Sequence, residues 1–88
     1  MPWKLVVAPS AERTLARLSE RVAAAVVEFM LGALLDEPTR VGNPLGRELT
    51  GYWSARRGSY RVVYRVDDAR REVRVVRIEH RSDIYRSR

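Results

Sequence analysis

The sequence predicts an α+β domain in which a helical hairpin packs on one face of a small antiparallel sheet, in the order β-α-α-β-β-β. Three observations lead there. Apolar residues in the first half recur at helical spacing, and those in the second half alternate with period two. Between two alternating runs sits Gly58-Ser59, a two-residue link suited to a tight II′ hairpin turn.

Taken in order, Lys4 to Ala8 is a short apolar run before Pro9, long enough for one strand. Ser10 reads as the cap of a helix whose face is Ala11, Leu15 and Leu18. Ser19 reads as a second cap, with Glu20 favourable at the positive end of the new helix. Val22, Val26, Phe29 and Ala33 continue the period, and Asp36-Glu37-Pro38 ends it. A Gly/Pro-rich loop from Thr39 to Gly46 and a short turn from Arg47 to Gly51 lead into strands. These run from Tyr52 to Arg57, Tyr60 to Val66 and Glu72 to Ile78, with a wider turn from Asp67 to Arg71 before the last.

The tight turn sets a register. Arg57 pairs with Tyr60, Arg56 with Arg61, Ala55 with Val62, Ser54 with Val63 and Trp53 with Tyr64. Alternation then puts Trp53, Ala55, Tyr60, Val62, Tyr64 and Val66 against the helices, and Ser54, Arg56, Arg61 and Arg65 on the other face. Closing the wider turn with Val66 opposite Glu72 sets Val63 opposite Val75 and Arg61 opposite Arg77. A slip of two residues in this second register would keep the face and change the neighbour.

Eighty-eight residues with 45% apolar content support one domain, 1–88, with a core small enough that a partner covering part of it would be unsurprising. The absence of cysteine excludes disulfides, thiol chemistry and thiolate-bound zinc. Met1-Pro2-Trp3-Lys4 opens no signal-peptide hydrophobic region. The longest apolar stretch, Val22 to Leu35, is interrupted by Glu28 and is shorter than the roughly 20 residues of a membrane span. A cytoplasmic protein is expected.

Charge is segregated. The net charge is +6, yet residues 1–46 hold five basic and five acidic side chains, whereas residues 47–88 hold twelve arginines against six acids. Codon bias accounts for part of the preference for Arg over Lys but not for its placement. A one-sided basic surface fits a polyanion, either nucleic acid or an acidic protein segment. On the expected sheet, Arg56, Arg61 and Arg77 form a row. Like charges directly opposite cost up to ~1 kcal/mol per pair, so a chain selected only for folding would avoid the row. Guanidinium forks match phosphate oxygens, which makes the row a candidate anion site. Any single arginine here reads better as a side chain that splays into solvent or stacks on Tyr52 or another arginine; the row, with a basic tail after it, favours the anion site.

The tail adds His80, Arg81, Tyr85 and Arg86 where the last strand ends. One histidine without clustered carboxylates does not build a metal centre, so neither metal nor other cofactor is expected. Singly, Tyr85 also reads as a packing residue and His80 as a hydrogen-bonding strand end.

Two motifs resemble a known family. Gly51-Tyr52-Trp53-Ser54-Ala55-Arg56-Arg57-Gly58-Ser59-Tyr60-Arg61-Val62-Val63-Tyr64 is similar to the G-x-W-x-x-R-x-G-x-Y-R-hydrophobic-hydrophobic-Y stretch of RelE/ParE-superfamily toxins. Ile78-Glu79-His80-Arg81-Ser82-Asp83-Ile84-Tyr85 resembles their I-x-H-R-x-D-hydrophobic-Y ending, and the stretch from Val41 to Leu49 resembles their G-x-P-L turn. The likeness implies a RelE-like fold and a toxin of a type II toxin–antitoxin pair. It further implies a ribosome-dependent mRNA endoribonuclease that enters the A site, uses the 2′-hydroxyl as nucleophile on the adjacent phosphate and so blocks translation.

Carried over by position, Arg61 matches the arginine that stabilises charge on the scissile phosphate. Arg81 matches a phosphate contact, and Tyr85 the tyrosine that stacks on a base and assists proton transfer. His80 is a rival for that last role, since histidine ordinarily titrates closest to neutrality. Arg56, Arg57, Arg65, Arg77 and Arg86 are the further RNA-binding candidates. The implied partners are a cognate antitoxin, in a toxin–antitoxin hetero-oligomer, and the ribosome with its mRNA; no membrane is involved.

The sequence departs from the family in places. Some members carry lysines in the second strand, where this chain offers Ser54 and Arg56. Others carry a glutamate in the preceding turn, where Asn43 or Arg47 stands. The tail has no helical period where some relatives continue as a helix. Two other readings remain: a ParE-like DNA gyrase inhibitor, against which the His80-Arg81 and Tyr85 ending argues, and a non-enzymatic basic module that binds an antitoxin peptide or RNA.

Overall fold

The computed structural model describes residues 3–80. Strand β1 (Lys4–Val7) leads into helix α1 (Pro9–Arg17) and helix α2 (Glu20–Phe29), which continues through one π-helical stretch, Met30–Leu34. A two-residue strand β2 (Asn43–Pro44) and a single 3-10 turn (Arg47–Leu49) precede β3 (Tyr52–Arg57), β4 (Tyr60–Asp67) and β5 (Glu72–His80). The sheet order is β1-β5-β4-β3-β2.

The α+β architecture is as the sequence indicates, with two additions. The sheet is mixed rather than wholly antiparallel, because β1 lies parallel to β5, with Leu5 opposite Val73 and Val7 opposite Val75. A four-residue strand carries no signal of its partner. Parallel pairing needs a long connection, which the helices and the other strands supply here. The second addition is β2, a short antiparallel edge on β3 inside the expected loop.

Helix starts follow their local chemistry. Pro9 occupies the first turn of α1, where its missing N–H costs nothing, and Ala8 rather than Ser10 is the cap residue. The Ser10 hydroxyl instead donates to the carbonyl of Val76, 2.9 Å away. Ser19 does cap α2, its oxygen accepting from the Val22 N–H at 3.3 Å.

One side of the sheet carries the core. Ala11, Val26, Phe29, Met30 and Leu34 from the helices meet Ala55, Tyr60, Val62, Tyr64, Val73, Val75 and Ile78 from β3, β4 and β5. Every strand residue assigned to the apolar face lies there, with Trp53 and Val66 half-buried at its margin. Among the described residues no helix covers the opposite side, which leaves it open for the charged residues.

The β3–β4 register is the expected one at every pair. Gly58 has φ +55 while Ser59 stays out of the positive region, the pattern of a II′ turn. The β4–β5 register differs. Asp67, not Val66, faces Glu72, because Arg71 turns the chain with φ 53. A bulge then leaves Val76 without a partner between the Tyr64–Val75 and Val63–Arg77 pairs. Both changes move β5 along β4, so Arg61 faces Glu79 instead of Arg77.

Candidate nucleic-acid interface

On the open face, β4 presents Arg61, Val63 and Arg65 by alternation, β3 presents Tyr52, Ser54 and Arg56, and β5 presents Arg77 and Glu79. Arg61 therefore lies between a cation and an anion: Arg56 is its partner on β3 and Glu79 its partner on β5. The expected three-arginine row is corrected: Glu79 takes the place opposite Arg61, with Arg56 on the far side of Arg61 and Arg77 two residues back along β5.

That carboxylate binds both of its neighbours. Glu79 Oε1 accepts from Arg61 Nε at 2.9 Å and from Arg61 Nη2 as well. Glu79 Oε2 lies 3.3 Å from Arg77 Nε. The Glu79 side chain is only 20% exposed, against 38% for Arg61 and 71% for Arg77, so the acid forms the floor and the guanidiniums the rim. Arg56 makes no ion pair among the described residues. Three guanidiniums against one carboxylate leave a cationic site whose outward groups are N–H donors. Such a site can hold an anion with fixed, charge-assisted hydrogen bonds.

The remaining candidates are distributed elsewhere. Arg65 is on the same face but four residues along β4, about 13 Å from Arg61, with its guanidinium 5.3 Å from the Tyr52 ring centre. Arg57 pairs with Tyr60 and is on the helix side, its guanidinium 4.9 Å from the Phe29 ring centre. It does not join the Arg61 cluster. His80 also pairs with Tyr60, and its Nε2 lies 3.1 Å from Ser59 Oγ at the hairpin turn. Its side chain is thus on the opposite side of the sheet from Arg61. Arg81, Tyr85 and Arg86 lie outside the described residues.

Sequence reasoning missed Glu79. The signal was its like-charge surroundings: a register that set Arg61 against Arg77 repelled, and sliding by two residues replaced that repulsion with an ion pair. Among the described residues no group of three or more His, Asp or Glu is placed to hold a metal ion. Among the same residues no helix is long and apolar enough to cross a membrane.

The buried tyrosines shape this site from beneath. Tyr64 lies under the sheet centre with its hydroxyl 2.6 Å from the Pro38 carbonyl, and burial pushes its pKa up to about 12. The Tyr60 pKa is raised by burial, partly offset by Arg57. Neither hydroxyl reaches the open face.

Comparison with known proteins places the chain. The family model described as the ParE toxin of the type II toxin–antitoxin system, parDE, matches residues 5–85. The chain is 52% identical over 86 residues to Toxin RelG of Mycobacterium tuberculosis, covering 98% of this chain and 99% of that protein. It is 48% identical over 85 residues to Toxin RelE of the same organism, covering 97% and 88%. The crystal structure of the M. tuberculosis toxin–antitoxin complex RelBE2 contains a chain that superposes with a TM-score of 0.89 at 49% identity, covering 92% of this chain and all of that one. With β3, β4 and the arginine-rich open face arranged as described, the chain belongs to the ParE toxin family of type II toxin–antitoxin systems and is a toxin of its RelE-like branch.

Proposed function

We propose that this toxin is a ribosome-dependent mRNA endoribonuclease. The observation that supports the reading best is the Arg61 guanidinium, held on the open sheet face by Glu79 with Arg56 and Arg77 beside it. In the reaction the 2′-hydroxyl attacks the adjacent phosphorus and gives up its proton. A bond from the 2′-oxygen to phosphorus forms, the bond to the 5′-oxygen breaks, and that oxygen takes a proton. The products end in a 2′,3′-cyclic phosphate and a 5′-hydroxyl.

Arg61 stabilises the negative charge that builds on the phosphate oxygens, and Arg56 and Arg77 hold the flanking backbone. No metal is needed for this electrostatic contribution. Arg81 contacts phosphate, Tyr85 stacks on a base and assists proton transfer, and Arg86 is a further RNA-binding residue. His80, on the other side of the sheet, is the weaker candidate for proton transfer. The ribosome supplies the orientation of the 2′-hydroxyl, so free RNA is cut slowly. The protein acts in the cytoplasm as a single domain. A cognate antitoxin neutralises it in a hetero-oligomer, in keeping with the toxin–antitoxin complex of its relative.

The test uses purified protein, ribosomes programmed with a defined mRNA, and the same RNA alone. Cuts in the A-site codon with cyclic-phosphate ends, strongly favoured on the ribosome, are expected. Intact mRNA together with inhibited DNA gyrase would select the gyrase-directed reading, and no effect on either would leave a binding module.

A further inference from the structure

We propose that Glu79 is a positioning residue, clamping Arg61 and Arg77 so that they form one phosphate cradle; this rests on the nuclease reading above. A guanidinium has two edges that can present paired N–H groups: one from Nε and an Nη, the other from both Nη atoms. Glu79 Oε1 takes the Nε–H of Arg61 and one N–H of Nη2. The edge formed by the two Nη atoms has no hydrogen-bond partner among the described residues. The clamp therefore occupies the edge facing β5 and leaves the outer fork for a ligand.

Three further observations agree. Arg61 stands directly opposite Arg56, and without a counter-charge the two guanidiniums would splay apart. Glu79 also holds Arg77 through its second oxygen, so one side chain sets the spacing of two cations. The bulge at Val76 is what brings both Arg77 and Glu79 to the open face beside β4, and bulges commonly re-aim side chains in this way. Both carboxylate oxygens are already engaged by guanidiniums, which suits Glu79 to orientation and not to taking a proton from the 2′-hydroxyl.

A purely electrostatic view predicts the opposite result from a positioning role. Removing a carboxylate makes the site more cationic, so if charge alone mattered, Glu79→Ala would bind RNA tighter and cut faster. Positioning predicts tighter or equal binding but slower cutting, because a misplaced fork no longer meets the transition state.

The experiment is single-turnover cleavage on mRNA-programmed ribosomes over a range of toxin concentrations. It uses the wild-type protein, Glu79→Ala, Glu79→Gln, Arg61→Ala and the double variant Arg61→Ala/Glu79→Ala. Glu79→Ala is expected to lower the saturating rate by roughly 10-fold or more without raising the half-saturating concentration. Glu79→Gln, which keeps one acceptor oxygen for Arg61, should recover part of the loss. In the Arg61→Ala background the second substitution should cost clearly less than it does alone, since Glu79 then has only Arg77 left to position. The Arg61 Nε–H resonance in NMR spectra should shift on loss of the carboxylate, a change that a scaffold role elsewhere would not produce. A Glu79→Ala protein that cuts at the wild-type rate overturns this inference alone, as does an equal loss in both backgrounds. Wild-type protein that cuts nothing overturns the nuclease reading and this inference together.

Discussion

Tyr64 donates a hydrogen bond from its hydroxyl to the carbonyl oxygen of Pro38 at 2.6 Å, joining the centre of β4 to the chain just past the helical arm. Both residues are buried, so neither group has water as a substitute. The contact fixes where the helices end relative to the sheet, and with them the frame under the open face. Tyr64→Phe keeps the ring and leaves the carbonyl unsatisfied, a loss of about 1–3 kcal/mol. Each kcal/mol moves the melting midpoint of a domain this size by roughly 4–8 °C, which calorimetry resolves.

Gly42 is coupled to the same hydroxyl. A Cβ there would collide with the Tyr64 oxygen and lie 2.8 Å from the Ser54 carbonyl oxygen. Gly42→Ala should destabilise by about 1–3 kcal/mol. Adding Tyr64→Phe removes one of the two obstructing atoms, so the double variant should lose less than the sum of the single losses, by roughly 0.5 kcal/mol or more. Additive melts would mean that the loop at Gly42 relaxes away from β4.

Alkaline pH should weaken the fold through Tyr64. Its hydroxyl is pushed up to about 12 by burial, while a tyrosine in the unfolded chain titrates near ~10. The folded state holds that proton more tightly, so the contribution is fully present below about pH 10 and is lost as pH rises through about 12. Denaturant melts across that window should show stability falling more steeply for the wild-type protein than for Tyr64→Phe. Tyr60, whose pKa is also raised, leaves a residual slope in both.

Arg57 tests the sidedness of the sheet. It precedes the same turn as Arg61 follows, but stacks on Phe29 on the helix side. Arg57→Ala should cost about 0.5–1 kcal/mol of stability and change mRNA cutting by less than roughly 3-fold. Arg61→Ala should do the reverse: a small change in melting and a fall in cutting of roughly 100-fold or more. Equal effects on cutting would mean that RNA reaches both faces.

These residues also mark how far the sequence carried. The β3–β4 hairpin was legible because a two-residue turn admits one register, and that register placed Arg56 opposite Arg61. Arg57 was open to the same logic, since pairing with Tyr60 puts it on the core side. The β4–β5 pairing was less legible: a wider turn allows several closures, and the one local trace of the skipped Val76 is that the buried positions Val73, Val75 and Ile78 change phase by one residue. Glu79 was lost with that register. The parallel place of β1 and the engagement of Ser10 by Val76 depend on contacts distant in sequence, which local pattern does not encode.

The most direct test of Arg61 as the charge-stabilising group of an mRNA nuclease is made in cells. The wild-type protein and Arg61→Ala are induced separately in a heterologous host, and mRNA 5′ ends are mapped across the transcriptome. New ends inside translated codons with the wild-type protein, absent with an equally abundant and folded Arg61→Ala, are the predicted result. Growth arrest with intact mRNA, or the same codon-internal ends from both proteins, would contradict it.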